Sequence, residues 1–133
     1  VGNVTGFIEA EVKPTEDQKK VEKAIQNFFT YTSLESVPKH GEKLLIARIK
    51  GREGLLKFFE RLRQERILNA ARKIMIKGLK GKSITFCLNK QVAYVNHISF
   101  CEPVAESSLG PIRVNIGCDN PRELIDWLTQ RTV

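Results

Sequence analysis

RIKGREGLLKFFERLRQERILNAARKIMIKGLKGK, residues Arg48 to Lys82, decides the fold, because it reads as two helices and not one. Leu55, Phe58, Phe59 and Leu62 recur at i, i+3, i+4 and i+7, one apolar stripe of an α-helix. Leu68, Ala71, Ile74 and Met75, with Ile67 beside them, form a second stripe. At about 100° per residue, a single helical phase carried through both makes the second stripe point nearly opposite to the first. One straight helix could not bury both against one core, so a break is expected between Arg63 and Arg66.

The same stretch holds twelve of the 22 Lys and Arg residues and only three of the 15 acids, Glu53, Glu60 and Glu65. Its net charge of +9 exceeds the +7 of the whole protein, so the remainder is slightly acidic. Arg66, Asn69, Lys73 and Lys77 share the polar side of the second helix at i, i+3, i+7 and i+11. Lys57 and Arg61 stand at i, i+4 on the first. Lys80 and Lys82 follow in a turn bracketed by Gly78 and Gly81. Solvated helix faces are often basic, but they usually carry acids one turn away as partners. No acid stands four residues from Arg66, Lys73 or Lys77, and that missing counter-charge points to an anionic partner.

Working outward, 133 residues at 41% hydrophobic suit one domain, residues 1–133, with a proper core. No run of 18 apolar residues suggests a membrane span, and no charged-then-apolar start suggests a signal peptide. Three cysteines, an odd number, argue against a disulfide framework and for a reducing cytoplasm. The isoelectric point of about 9.5 suits nucleic acid, an anionic membrane surface or an acidic protein. A membrane-surface role is disfavoured, since neither basic helix exposes an apolar face once its stripe is in the core.

Alternation of Ile8, Ala10 and Val12 with Glu9, Glu11 and Lys13 predicts a half-buried strand over Phe7–Lys13, stopped by Pro14. Thr15 with Gln18 reads as a capping box for a helix burying Val21, Ala24, Ile25, Phe28 and Phe29. Thr30–Gly41 reads as a connection and Lys43–Lys50 as the second strand, with Leu45, Ala47 and Ile49 on one face. After the two basic helices, Ser83–Asn89 is a strand with Ile84, Phe86 and Leu88 inward, and Asn89-Lys90-Gln91 a turn. His97–Cys101 is the fourth strand, Glu102–Pro111 a loop, and Ile112–Ile116 the fifth strand. Asn120-Pro121-Arg122-Glu123 starts a last helix that buries Leu124, Ile125 and Leu128. The order β-α-β-α-α-β-β-β-α predicts a two-layer α+β sandwich. Its sheet is expected to be five-stranded and mixed, mostly antiparallel, with helices on one face and a polar opposite face.

Catalytic and metal chemistry finds little support. Gly81-Lys82-Ser83 lacks the earlier glycine of a phosphate-binding loop, position 76 being Ile76, and follows a helix instead of a strand. Cys87, His97 and Cys101 fall on the polar sheet face and Cys118 follows the inner set, so four ligands would not converge on zinc. Neither Ser107 nor Ser108 sits in a nucleophile elbow, and no acid is positioned to orient His97 or His40 as a base. The strand aromatics Phe86 and Phe100 face inward, unlike the base-stacking platform of an RNA-recognition motif. The expectation is a protein that is not an enzyme and has no catalytic residues, metal, cofactor or small-molecule substrate.

Longer phrases carry a family likeness: EVKPTED at Glu11–Asp17, ERILNAARK at Glu65–Lys73, FCLNKQVAYVNHISF at Phe86–Phe100, SSLGPIRV at Ser107–Val114 and DNPRELIDWL at Asp119–Leu128. Together they resemble the archaeal uncharacterised protein family 0201 over nearly the whole chain. The resemblance implies an RL5-like α+β domain, similar in fold to the large-subunit ribosomal protein that binds 5S ribosomal RNA. It supplies no catalytic residues to carry over.

The leading expectation is therefore a non-enzymatic, cytoplasmic RNA-binding domain that recognises a structured RNA by shape. Arg66, Lys73 and Lys77, helped by Lys57, Arg61, Lys80 and Lys82, would contact phosphates, with Lys90 and Gln91 of the NKQ turn adding polar contacts. The alternative is a protein-interaction module or homodimer built on the open sheet face, where Leu44 and Ile46 are exposed.

Overall fold

The computed structural model describes residues 4–101 and 110–130. Their elements are β1 (Thr5–Val12), α1 (Gln18–Gln26), β2 (Ser33–Lys39), β3 (Glu42–Lys50), a 3-10 turn (Arg52–Leu55), α2 (Leu56–Gln64) and α3 (Leu68–Lys77). There follow β4 (Leu79–Lys80), β5 (Ser83–Asn89), α4 (Lys90–Tyr94), β6 (Phe100–Cys101), β7 (Pro111–Gly117) and α5 (Pro121–Thr129). The sheet runs β2-β3-β1-β7-β5-β4, with β6 also paired to β5. The α+β class is as the sequence indicates, but the sheet has seven strands where five were expected.

β2 changes the topology as well as the count. Without it, β1, a helix and β3 would form a parallel crossover pair, and a mixed sheet follows. β2 instead turns the chain round at His40 and Gly41, both at positive φ (48° and 79°), and returns it as a two-residue hairpin. β3 therefore pairs β1 antiparallel, Ile8 opposite Ala47, and every described pairing in the sheet is antiparallel. SLESVPK escaped the alternation test because it is an edge strand with an exposed, polar surface, and Pro38 is tolerated there.

The register places Ile8, Ala10, Leu45, Ala47, Ile84, Phe86, Ile112, Val114 and Ile116 on one face, all buried. The helices cover that face. Phe58 of α2 is fully buried and stacks on Phe29 (5.3 Å between ring centroids) and on Phe86 of β5 (5.5 Å), joining the two layers. The helical break falls inside the interval read from the apolar stripes. α2 ends at Gln64, Arg66 takes the left-handed conformation (φ 57°), and α3 begins at Leu68. Leu55, Phe58, Leu62, Ala71 and Met75 are then all buried on the sheet side.

Three local readings are corrected. α1 is capped by Asp17, which accepts from the Lys19 N–H at 2.9 Å, and not by Thr15, because residues 13–16 form a turn of their own. The NKQ segment is not a turn but the start of α4, capped by Asn89. β6 is shorter than His97–Cys101, because the Ile98 N–H is taken by the Glu65 carboxylate at 3.1 Å instead of by a strand. Ser107 and Ser108, and most of the Glu102–Pro111 loop, lie outside the described residues.

Gly78 closes α3 directly against β5, where a Cβ would lie 1.9 Å from the Thr85 carbonyl oxygen. Gly78→Ala should lower the free energy of unfolding by about 3 kcal/mol, through backbone displacement at the α3–β5 contact. Ala70→Gly, at an exposed position of the same helix, should cost about 1 kcal/mol. Urea denaturation that gives equal losses for the two would contradict the close approach.

Candidate nucleic-acid interface

The twelve basic residues of Arg48–Lys82 separate by what they touch. Arg63 is an internal staple. Its guanidinium donates to the Phe59 carbonyl (2.8 Å) and, across the helix layer, to the Leu128 (3.0 Å) and Gln130 carbonyls at the end of α5. A cation at the negative end of that helix is favourable, and the same group lies 3.4 Å over the Phe59 ring. Arg72 joins α3 to α5 through Asp126 (2.6 Å) and Thr129 (3.3 Å). Arg52 lies 4.7 Å over the Trp127 ring, which stacks in turn on Phe59 at 4.8 Å. Arg48 pairs with Glu35 on the opposite sheet face at 3.1 Å.

Lys50 stands exposed at the end of β3, on the same outward face as Arg48. Lys57, Arg61, Arg66, Lys73, Lys77, Lys80 and Lys82 remain, and among the described residues neither they nor Lys50 form an ion pair. Burial of Phe58 and Leu62 turns Lys57 and Arg61 away from the core, and burial of Ala71 and Met75 does the same for Lys73 and Lys77. Lys57 donates to the Gln26 carbonyl at the end of α1 (3.0 Å). Arg66 is exposed, but it belongs to the turn between the helices and not to the α3 stripe. Lys80 and Lys82 flank the tip of the β4–β5 hairpin, turned at Gly81 (φ 57°), and both are exposed.

Lys90 is a different case. Its side chain is fully buried, and its ammonium donates to Glu16 (3.0 Å) and to the Glu11 carbonyl (2.6 Å). It is withdrawn from the phosphate-contact set, since a buried lysine paired within the fold cannot reach an external phosphate. Gln91 is exposed, but on α4, which packs against α1 and β5 and not in the α2–α3 track. Burial pushes the Lys90 pKa down, against the pull of Glu16. Burial likewise pushes the Glu16 carboxyl up, but hydrogen bonds from Tyr94, the Lys13 N–H and Lys90 outweigh it and leave its pKa below the usual range.

The opposite sheet face carries charges of both signs, matched to one another. Glu11 pairs with Lys13 (2.7 Å) and Lys39 (3.3 Å), and Lys13 also reaches Glu42 (3.2 Å). The hydrogen bond from Lys13 holds the Glu11 carboxyl below its ordinary pKa against its partial burial. Leu44 and Ile46 are half-buried within this face.

The residues weighed for catalysis are dispersed. Cys118 is buried, and Cys87 lies opposite Cys101 in the β5–β6 ladder. His97 is exposed with its Nδ1 3.6 Å from Glu65, an acid at the C-terminal cap of α2 that sequence spacing could not place beside it. Among the described residues no three such side chains form a metal-holding group, and no helix is long and apolar enough to cross a membrane.

An open antiparallel sheet backed by helices, with unpaired cations along one side of the helical layer, defines a small α+β domain with a basic surface. A protein-family model described as RNA binding matches residues 7–117. The chain is 49% identical over 126 residues to a UPF0201 protein of Sulfurisphaera tokodaii, covering 95% of this chain and 87% of that one. It is 47% identical to another from Sulfolobus acidocaldarius, with the same coverage. The crystal structure of the UPF0201 protein from Methanococcus jannaschii superposes with a TM-score of 0.83 at 34% identity, covering 97% and 95% of the two chains. The protein belongs to the UPF0201 family.

The Lys90–Glu16 pair carries a pH signature. Glu16 titrates lower folded than unfolded, where a glutamate sits near about 4.3. Its stabilisation is therefore present above that value and is lost as pH falls through the folded one. Lys90→Met should lower stability by about 3 kcal/mol at neutral pH, by leaving the Glu16 carboxylate buried without its cation. That deficit should shrink below about pH 4 as Glu16 takes up a proton. Guanidinium titrations across this range check it, and a pH-independent deficit would contradict the pairing.

Proposed function

We propose that this protein is a non-enzymatic RNA-binding domain of the archaeal cytoplasm that holds a structured RNA by its phosphates. The observation that carries the reading is the division of charge. Lys13, Lys39 and Arg48 on the outer sheet face are paired, whereas Lys57, Arg61, Arg66, Lys73, Lys77, Lys80 and Lys82 are without acidic partners among the described residues. Unpaired cations on a rigid helical layer attract phosphate at no cost in broken ion pairs. The family model's description, RNA binding, supports the same class of partner.

Such contacts position a backbone and carry little sequence information. The aromatic surface supports recognition by shape as well. Trp127 and Phe59 stack on each other, with Arg52 over the first and Arg63 over the second, so these ring faces are already occupied. The RL5-like likeness implied by the family resemblance belongs to this proposal as a fold-level analogy, which favours RNA as a partner class without assigning any residue.

Lys73→Glu with Lys77→Glu should weaken binding of a folded ribosomal RNA fragment at least tenfold. It should also flatten the dependence of log K on log salt by about 1.8, at about 0.9 per phosphate contact. Lys39→Glu with Arg48→Glu, an equal change of charge on the opposite face, should have a much smaller effect. Fluorescence anisotropy across a salt series measures both, and equal losses from the two pairs would assign the binding to net charge alone.

A further inference from the structure

Tyr94, the last residue of α4, lies outside the phosphate track. α4 packs on α1, held where the Asn27 side chain donates to the Ala93 carbonyl at 3.0 Å. Beside this contact lies an open cleft of about 570 Å³, lined by Thr15, Glu16, Asp17, Lys20, Lys23 and Tyr94. That volume lies in the range of small-ligand sites.

Its lining divides into two chemistries. Lys20 and Lys23 stand at i, i+3 on α1, both exposed, and their side chains make no hydrogen bond or ion pair among the described residues. Tyr94 is half-buried, and its hydroxyl donates to Glu16, so the ring is fixed at the cleft wall. Burial, with the Glu16 charge beside it, raises the phenol pKa far above its ordinary value, so it stays protonated and keeps donating. Glu16 is offset by its ion pair with Lys90, and the Asp17 carboxylate is held at the helix start by the Lys19 N–H. Two lysines against the one remaining acid, Asp17, leave the cleft net positive.

We infer that this cleft receives one unpaired nucleotide of the bound RNA, its base against the Tyr94 ring and its phosphate at Lys20 and Lys23. The inference rests on the RNA-binding reading above and extends it to a site off the α2–α3 track. A fixed aromatic ring beside cations is the combination with which proteins hold bases that have left a stack. α1 links the cleft to the track, since Lys23 lines the one and the end of the helix meets the other. Lys57 of α2 grips the Gln26 carbonyl, three residues and about 4.5 Å of helix rise beyond Lys23. Unlike Trp127 and Phe59, Tyr94 has no cation lying over its ring among the described residues.

Two RNA hairpins, identical except for a single unpaired adenosine, would be titrated against the intact protein by fluorescence anisotropy at fixed salt. The wild type should bind the bulged hairpin about tenfold more tightly. Lys20→Gln with Lys23→Gln, both exposed positions, should bring the two hairpins to within about twofold. Tyr94→Leu should do the same, while Tyr94→Phe, which keeps the ring and loses only the hydroxyl, should retain most of the preference. Equal wild-type affinities, with both hairpins still weakened by reversal of Lys73 and Lys77, would overturn the cleft and leave the RNA reading intact. Binding of neither hairpin would overturn both. A parallel titration with adenosine 5′-monophosphate separates the sources of the nucleotide. Tight binding that is lost in the lysine variant, without any bulge preference, would assign the cleft to a free nucleotide and overturn the inference as stated.

Discussion

Phe58 holds the architecture together. Its ring lies between Phe29, three residues past the end of α1, and Phe86, in the middle of β5, and no part of it reaches solvent. Aromatic rings bury more apolar surface than most side chains and add a geometric preference of about 1 kcal/mol per stacked pair. With Phe58 and Leu62 fixed inward, the rotation of α2 about its axis is fixed too, and Lys57 and Arg61 have only the solvent side left. The surface charge pattern is therefore a by-product of core packing. Arg63 and Arg72 reinforce it by tying α2 and α3 to α5, so the cations sit on a braced layer and not on mobile loops.

What was legible in the sequence follows from how strongly each segment is patterned. α2 and α3 were readable because their stripes are long and out of phase, and a helix cannot bury opposite sides against one sheet. β1, β3, β5 and β7 were readable because their alternation is strict. β2 was not, since an edge strand needs no apolar face and SLESVPK has almost none. Without that strand the sheet reads as mixed, because one added hairpin turns a parallel crossover into an antiparallel pair. The sole cue was the His40-Gly41 dipeptide, which suits a tight turn only weakly.

The candidate site was legible to a similar degree. Spacing on a helix separates exposed from buried lysines, and Lys57, Lys73 and Lys77 are exposed where spacing put them, while Arg61 is half-buried. Spacing cannot show a tertiary partner. Lys90 looked like an exposed turn residue, but it is one of the most buried side chains in the protein, because Glu16 lies 74 residues earlier in the chain and opposite it in space. Glu65 beside His97, and Arg63 against the end of α5, escaped for the same reason. Apolar periodicity reports distance from the core, whereas an ion pair depends on which elements become neighbours.

The measurement that bears most directly on the central claim is a map of amide chemical-shift changes in ¹⁵N-labelled protein on titration with a folded ribosomal RNA fragment. The expected result is a continuous set of shifts along α2, α3 and the β4–β5 hairpin, centred on Lys73 and Lys77, with the outward residues of β1, β3 and β7 little affected. Shifts confined to Phe7, Leu44, Ile46 and their neighbours on the open sheet face, with α3 silent, would contradict it.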